Sequence, residues 1–594
     1  MNTATIPRRK RNKLSANPLL RKYAPWLHED LLAVYARDLR KWLVIAPIIG
    51  LVTGLVITGV VIVILQKVWP PVLNYYLGHH WAIVPGVTLG FVVTGLIMQY
   101  LTPNPNEHST EEIVKSYHYH RGDIDMRPFI PKLLAAVATV GSGGSAALEG
   151  PSIYGGGAIG SWLWAKLRRF NLEPRDRRIM LISGAAAGMA AVFRAPLTGL
   201  VFALEMPYRD DLAHEALLPS LIASVVSYIT LAFFLGATPI FDFASSTSFS
   251  GKDLIWSALL GLLIGVAATL FATIFRRVRR FVVKWSIAHW MKLAIGGFLT
   301  GLCGLVFVGV FKGSLVPLGP NYEAVGAILG SQHSTVELIT FGVLKLAATV
   351  FSLASGGVSA MFVPLFLTGG SFGTAFGQFV VHSSALELYT AVGMAAFIAA
   401  GYKTPLAAVI FVAEATGGHA FIVPTLIGSA VAYAVSGDAS VSGDQRLHEG
   451  VRVSDLKGIT VGEVMQQQVI SVQANLTLRE FADFISPHYR HTIFPVMDDH
   501  RIVGIVASWR LAQMDEDRWE KTTVADITDR DAILVPPDSD LMEALRMLLS
   551  ERDRHMLLVT AENGSLEGIV TKTDILEVLR TRGENVLGSA HEAG

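Results

Sequence analysis

The sequence predicts an all-α polytopic membrane domain of tilted, broken helices, followed by a smaller α/β module. Three observations predict it. The 594-residue chain is 51% hydrophobic and only 16% charged, with a mean hydropathy of +0.45, whereas soluble domains carry roughly 25% charged residues. Its charges crowd into the first 40 residues and those beyond about 450, leaving long, nearly uncharged spans between them. Many of the apolar pieces are short, are interrupted by Gly and Pro, and recur in two halves of the chain.

In chain order, P-R-R-K-R-N-K at 7–13 has no apolar run directly behind it. It is therefore expected to be a cytoplasmic end and no signal peptide. Residues 1–40 form a cytoplasmic segment with an amphipathic lead-in helix at 30–40. The membrane domain is expected over 41–436. Trp42 to Val68 is long enough to cross roughly 30 Å of hydrocarbon with tilt, and Trp81 to Leu101 is a second span. Shorter pieces follow at 131–147, 151–167, 177–191 and 195–206. Longer spans return near 215–236, 253–275 and 286–311. Broken pieces resume at 337–353, 360–380, 385–400, 404–415 and 421–435. Basic clusters at 166–178 and 276–284 are expected to be cytoplasmic loops.

Short interrupted helices are tolerated in lipid only where protein or a water-filled cavity covers their ends. Recurring in two halves, they point to a transport site near mid-membrane. Ser142-Gly143-Gly144 precedes Pro151 by nine positions from the Ser, and Ser355-Gly356-Gly357 precedes Pro364 by the same interval. Pro196 leads to Glu205 nine later, as Pro405 leads to Glu414. The offsets are 213 and 209 residues, so two repeats, roughly 41–240 and 250–436, are expected. Spacing leaves open whether the repeats are inverted or parallel.

The stretch G-S-G-G-S-A-A-L-E-G-P at 141–151 sets Glu149 just before Gly150-Pro151. Pro favours the first helical turn, so Glu149 should sit at a helix start, among N–H groups carrying partial positive charge. Taking a bare ion out of water costs of order 20 kcal/mol in an idealised Born picture. A Lys or Arg in the path would offset that and then hold the ion too tightly to release it. Helix N-termini offer about half a charge each, and conduction needs such moderate binding. The breaks at 141–151 and 355–364 contain no Lys or Arg, which favours anions over cations. An ionised Glu149 would compete with the anion for its place, and a protonated one would leave it. Intramembrane carboxylates are functional candidates by default.

Residues 437–458 read as a linker, polar at S-G-D-A-S-V-S-G-D-Q-R (436–446), and 459–594 as a cytoplasmic tail. Its two halves, 459–515 and 523–583, each read as strand, helix, strand, strand, helix. The single Cys303 excludes an intramolecular disulfide and a multi-cysteine metal site, and Y-H-Y-H at 117–120 is not taken as a metal site. There is no nucleophile–base motif or phosphate loop, so an enzyme is not expected, and a net charge of +1 gives no reason to expect nucleic acid.

Residues 30–436 resemble the CLC family of chloride channels and proton/chloride antiporters, and the tail resembles the paired CBS domains often attached to that family. The stretch at 141–151 matches the family's G-S-G-G-S-x-G-(R/K)-E-G-P, with Glu149 on the gating glutamate, and A-M-F-V-P (360–364) matches G-x-F-x-P. The resemblance implies an inverted repeat, a homodimer and one anion pathway per subunit. It also implies an anion site at His108, Leu148, Glu149, Gly150, Met361, Phe362 and Ser442, with the N–H groups of Met361 and Phe362 on the anion.

The chain departs from the family in several places. His108 falls where the anion-contacting Ser is expected, with Ser109 adjacent. Ser442 stands where a tyrosine usually closes the inner side, which implies a wider inner gate. Ala147 and Leu148 replace a Gly and a basic residue. Met206 stands where antiporters often carry an inner glutamate, while Glu205, with its repeat mate Glu414, reads as a helix-end residue.

In the tail, G-I-V-T-K-T-D (568–574) fits the CBS nucleotide signature, with Thr571 on phosphate or ribose and Asp574 on ribose hydroxyls. The first half has Ala507 and Arg510 instead. At most one site for ATP, ADP or AMP is thereby implied, with a purely structural CBS pair as the alternative, and no other cofactor. The expectation is a prokaryotic inner- or plasma-membrane protein with both termini cytoplasmic, passing chloride or another small anion. Channel-like or weakly coupled conduction is favoured over proton/chloride antiport. The rivals are a membrane-anchored adenine-nucleotide sensor and a divalent-cation channel, the latter disfavoured by the scarcity of carboxylates in the broken helices.

Overall fold

The computed structural model describes residues 29–105, 109–167, 172–237, 240–241, 249–311, 316–322, 324–329, 333–417, 419–446, 456, 458–485, 492–499, 501–550, 556–561 and 563–578. The chain divides into two units, Met1–Glu449 and Gly450–Gly594. Each is described by itself.

The first unit is helical among its described residues. Helix α1 (Glu29–Val61) carries the expected lead-in and the first span as one piece, passing through a π turn at Ile62–Val68 into α2 (Trp69–Gly78). Then come α3 (Ile83–Leu101), α4 (Ser109–Tyr119), α5 (Phe129–Gly141), α6 (Glu149–Leu167), α7 (Pro174–Phe193), α8 (Pro196–Glu205) and α9 (Leu217–Leu235). The second half has α10 (Gly251–Val283), α11 (His289–Val310), α12 (Ala324–Leu329), α13 (Thr335–Ala354), α14 (Phe362–Phe376), α15 (Leu386–Tyr402), α16 (Pro405–Thr416) and α17 (Ile422–Val435).

The loop expected at 276–284 is helical instead. Arginine has good helix propensity, and α10 runs through the basic cluster to Val283. Residues 168–171 of the other cluster lie outside the described residues, and α7 begins within it at Pro174.

Among the described residues, six helical stretches are long and apolar enough to cross a membrane, including His80–Leu101, Gly251–Val283 and His289–Val310. Their outer faces carry exposed apolar side chains such as Phe233, Ile255 and Val310. Lipid requires no polar cover there. The shorter helices α6, α7, α14 and α15 are buried nearly throughout. Small residues let such backbones approach closely. A Cβ on Gly156 would lie 2.0 Å from the carbonyl oxygen of Gly184, and one on Gly369 would lie 2.2 Å from that of Gly393. Residues 156 and 184 map onto 369 and 393 by the two offsets already found in the sequence, so the repeats share a packing seam as well as a spacing.

In the second unit, β1 (Val472–Gln473), α18 (Leu478–Phe484), β2 (Ile493–Asp498) and β3 (Arg501–Ala507) form one half. Then α19 (Val524–Ile527), β4 (Leu534–Val535), α20 (Leu541–Ser550), β5 (Met556–Thr560) and β6 (Leu566–Thr571) form the other. Each sheet pairs its first two strands in parallel and its last two antiparallel. The halves exchange leading segments. Ile459 and Val461 join the core of Leu541 and Val570, while Val524 and Ile527 join that of Leu478 and Val506. Thr477 with Glu480, and Thr523 with Asp526, make capping boxes. Each carboxyl is held below its ordinary range by hydrogen bonds from the threonine's backbone N–H and then its hydroxyl.

Candidate functional site: two helix starts and a carboxylate

Helix α5 ends at Gly141, and Gly143 takes φ +113°; in the second repeat Gly356 takes φ +111°. A side chain would be strained there, which explains why both breaks read Ser-Gly-Gly. Beyond each break the chain makes one isolated bridge. Ala147 and Ala360 pair antiparallel, with N···O distances of 2.9 and 3.2 Å. Ser359 Oγ donates to the Ala147 carbonyl. From this two-residue ladder the two strands run straight into helix starts, α6 at Glu149 and α14 at Phe362. Two helix N-termini from opposite repeats thus lie side by side. Their unpaired N–H groups carry the partial positive charge that favours an anion.

Glu149 supplies that anion from the chain itself. Its side chain is fully buried, and Oε1 accepts from the Phe362 N–H at 2.6 Å. Oε2 has no hydrogen-bond partner among the described residues. The neighbouring Met361 N–H donates to the phenol oxygen of Tyr402 at 3.1 Å. The Phe362 ring lies 5.0 Å from Phe193 and 4.9 Å from Phe411, centroid to centroid. These aromatic contacts exclude water from one flank of the site.

The other residues read from the sequence are placed as follows. His108 lies outside the described residues. Its neighbours Thr110 and Glu111 line a cavity of about 30 Å³ together with Met361, Tyr402 and Ser442. Ser442 is 5% exposed, its N–H donates to Ser440 Oγ, and its own hydroxyl is without a partner among the described residues. Leu148 is buried, and its carbonyl accepts from Ser152 within α6. Gly150 packs on the Ser359–Ala360 backbone.

The expectation of a wider inner gate rested on Ser442 standing where a tyrosine was sought. A phenol is present on the Met361 side, contributed by Tyr402 at the end of α15 instead of by the segment after α17. Spacing hid this, because the phenol reaches the site from a different element. A signal did exist. Tyr402 is 209 residues after Phe193, the same offset as the Pro196/Pro405 pair, and it is the member of that pair with a hydroxyl. Glu111, three residues after His108, was missed as well.

Met206, where an inner carboxylate was sought, is buried. Glu205 and Glu414 serve as helix ends across the repeats. Glu205 accepts from the N–H groups of Leu406 and Ala407 at the start of α16. Glu414 accepts from those of Leu197 and Thr198 at the start of α8, and from the Thr198 hydroxyl.

In the tail, Asp574 Oδ2 accepts from the Thr571 N–H at 2.8 Å and from its hydroxyl at 2.6 Å, while Oδ1 accepts from Gln466 at 2.7 Å. Thr571 and Asp574 are therefore adjacent. A ribose would have to share a carboxylate already engaged on both oxygens. At the corresponding place in the first half, Arg510 donates to the Ile527 carbonyl.

Comparison with known proteins gives the family and the fold. The family profile described as voltage gated chloride channel matches residues 89–437, and the CBS domain profile matches 461–514 and 524–581. The H(+)/Cl(-) exchange transporter ClcA of Yersinia pestis is 28% identical over 317 residues, covering 51% of this chain and 65% of that one. The chain thus spans about 65% of the length of the curated ClcA relatives it matches. A putative chloride channel protein, ClcB-like, of Ralstonia nicotianae is 26% identical over 366 residues, covering 59% of this chain and 82% of its own. A CLC-type fluoride/proton antiporter structure has a TM-score of 0.60 at 21% identity, over 69% of this chain and 98% of its own. A eukaryotic CLC transporter has 0.58 at 19%, over 90% and 98%. At those identities the structures speak for the fold.

Proposed function

The chain belongs to the voltage-gated chloride channel family, and we propose that it moves chloride or another small anion across a membrane, with Glu149 as the protonatable gate. The observation that carries this reading is the Glu149 carboxylate on the Phe362 N–H, at the junction of two helix starts. A carboxylate oxygen there stands in for the mobile anion. When it takes a proton it loses its charge and much of its hold on the helix ends, so the anion displaces it. The Tyr402 phenol on the Met361 N–H closes the same path from the side of the small cavity.

Among modes, channel-like or weakly coupled conduction is favoured, because an apolar Met206 stands where an inner proton carrier would be. Proton/chloride antiport is the second reading, supported by relatives named as H(+)/Cl(-) exchange transporters. Reconstituted protein decides between them. A chloride gradient that drives protons uphill establishes antiport, and chloride flux without proton movement establishes conduction.

Glu149→Gln removes the titrating group at nearly constant shape. It is expected to leave an anion flux that no longer varies with pH between 4 and 8, roughly the span in which carboxyl groups titrate in proteins. A pH profile identical to that of the parent would remove Glu149 from the gate. The resemblance also supports a homodimer with one pathway in each subunit, and modulation by an adenine nucleotide at Thr571 and Asp574. A membrane-anchored nucleotide sensor would replace this reading if vesicles containing the protein bound nucleotide and passed no anion.

A further inference from the structure

Helix α10 is longer than a bilayer requires. Its uncharged stretch Leu254–Phe275 holds 22 residues, about 33 Å at 1.5 Å per residue, which matches a hydrocarbon core of roughly 30 Å. The helix then continues through Arg276, Arg277, Arg279 and Arg280 to Val283, so the arginines begin where the hydrocarbon ends. Lys284 follows at its C-cap. No Asp or Glu occurs between Asp253 and Glu323. This basic end has two faces. Phe275 and Val282 are buried, and between them Arg279 turns inward to fork onto Glu111 of α4 by bonds of 2.6 and 2.8 Å. Arg277, Arg280, Phe281 and Lys284, spaced i, i+3, i+4 and i+7, form the opposite face, and all four are exposed. Among the described residues, no ion pair joins Arg277, Arg280 or Lys284 to a carboxylate. Phe281 is 64% exposed and meets Trp285 edge-on, with ring centroids 5.5 Å apart.

We propose that the outer face of the α10 end, Arg277, Arg280, Phe281 and Lys284, binds the anionic headgroups of membrane lipid. The two guanidinium groups and the ammonium group take the lipid phosphate, while Phe281 and Trp285 sit at the boundary between headgroup and acyl chain. This holds whichever ion the protein moves. Charge complementarity and depth carry it. Arginine presents a fork of donors that fits phosphate oxygens, and basic residues directly beyond a span are drawn to an anionic leaflet. Aromatic rings anchor at the same level. A merely solvated basic face has no use for an exposed phenylalanine among its cations and is indifferent to the headgroup. The tail beyond residue 450, with 24 Asp and Glu against 15 Lys and Arg, has charge of the right sign as well. Depth favours lipid over the tail, because the face begins at the hydrocarbon edge, where lipid phosphates are already concentrated.

The test is thermal unfolding of the purified full-length protein in detergent, titrated with short-chain phosphatidylglycerol or with phosphatidylcholine of the same chain length. Phosphatidylglycerol should raise Tm saturably, and phosphatidylcholine should not. The rise should shrink at about 1 M salt, where charges are screened beyond about 3 Å. Combining Arg277→Gln, Arg280→Gln and Lys284→Gln should weaken the apparent affinity roughly a hundredfold, at about fivefold per basic residue. Arg277→Lys with Arg280→Lys, which keeps the charge, should retain most of it. Equal responses to the two lipids, or a triple variant that titrates like the parent, would overturn the proposal. So would inorganic phosphate reproducing the rise, since the ligand would then be a soluble anion. A parent indifferent to phosphatidylglycerol, and destabilised by salt that leaves the triple variant unchanged, overturns it in favour of the acidic tail. Should the triple variant fail to fold, Arg280→Gln alone decides: a fivefold loss is expected, and an unchanged titration overturns the proposal equally.

Discussion

At Glu149 one carboxylate meets two opposing demands. Full burial disfavours its charge, whereas the Phe362 N–H and the surrounding helix starts favour it. Its second oxygen is left without a partner among the described residues, so one backbone bond holds the carboxylate, and under the proposed gating an arriving anion would take that N–H. Next to it, Gly150 lies against the ladder, and a Cβ there would sit 3.0 Å from the carbonyl carbon and oxygen of Ser359. Gly150→Ala should push the Ala147–Ala360 pairing apart, at about 1–3 kcal/mol for overpacking. The expected outcome is a lower unfolding temperature in detergent and weaker chloride binding together. An unchanged affinity would mean the ladder does not set the site. The sequence placed Glu149 at a helix start because Gly-Pro after it is local information. That its carboxylate meets Phe362 was not legible, because the two residues are 213 positions apart.

Between elements, the short helices α8 and α16 are tied head to tail by acids from opposite repeats. Glu205 closes the start of α16, and Glu414 closes the start of α8. Both helices begin with Pro, which leaves exposed N–H groups at the next two positions. Inside lipid no water can satisfy them. Glu205→Ala and Glu414→Ala should each cost about 1–2 kcal/mol, the upper range for loss of a helix cap. The double variant should be less stable than either, read as thermal unfolding in detergent. A destabilisation confined to one of them would show that the apparent symmetry is not energetic. The helix-end role of this pair was legible from the repeat spacing. Which helix each acid caps was not, since spacing cannot tell an inverted from a parallel repeat. The basic run at 276–284 was misread as a loop because charge marks a membrane boundary, and a helix such as α10 can continue beyond it.

For the whole molecule, the tail is proposed to report adenine nucleotide to the membrane domain through Asp574. Asp574→Ala should weaken nucleotide binding at least about tenfold, the loss expected when hydrogen bonds to a charged group are removed. Anion flux without nucleotide should be unaffected. A variant that binds nucleotide like the parent would leave the CBS pair a structural module.

By itself, the sequence determined the two repeats, their breaks at Gly143 and Gly356, a carboxylate at the start of one buried helix, and a tail of two similar halves. Each of these is written in spacing over fewer than about 15 residues, or in its recurrence, so it can be read along the chain. Only the tertiary structure decided that Tyr402 supplies the phenol, that Glu149 sits on the opposite repeat's helix start, that Glu111 pairs with Arg279, and that the tail's halves exchange leading segments. These are meetings of side chains and backbones far apart in sequence. They follow from how closely the glycine-lined helices pack, and no local pattern encodes them.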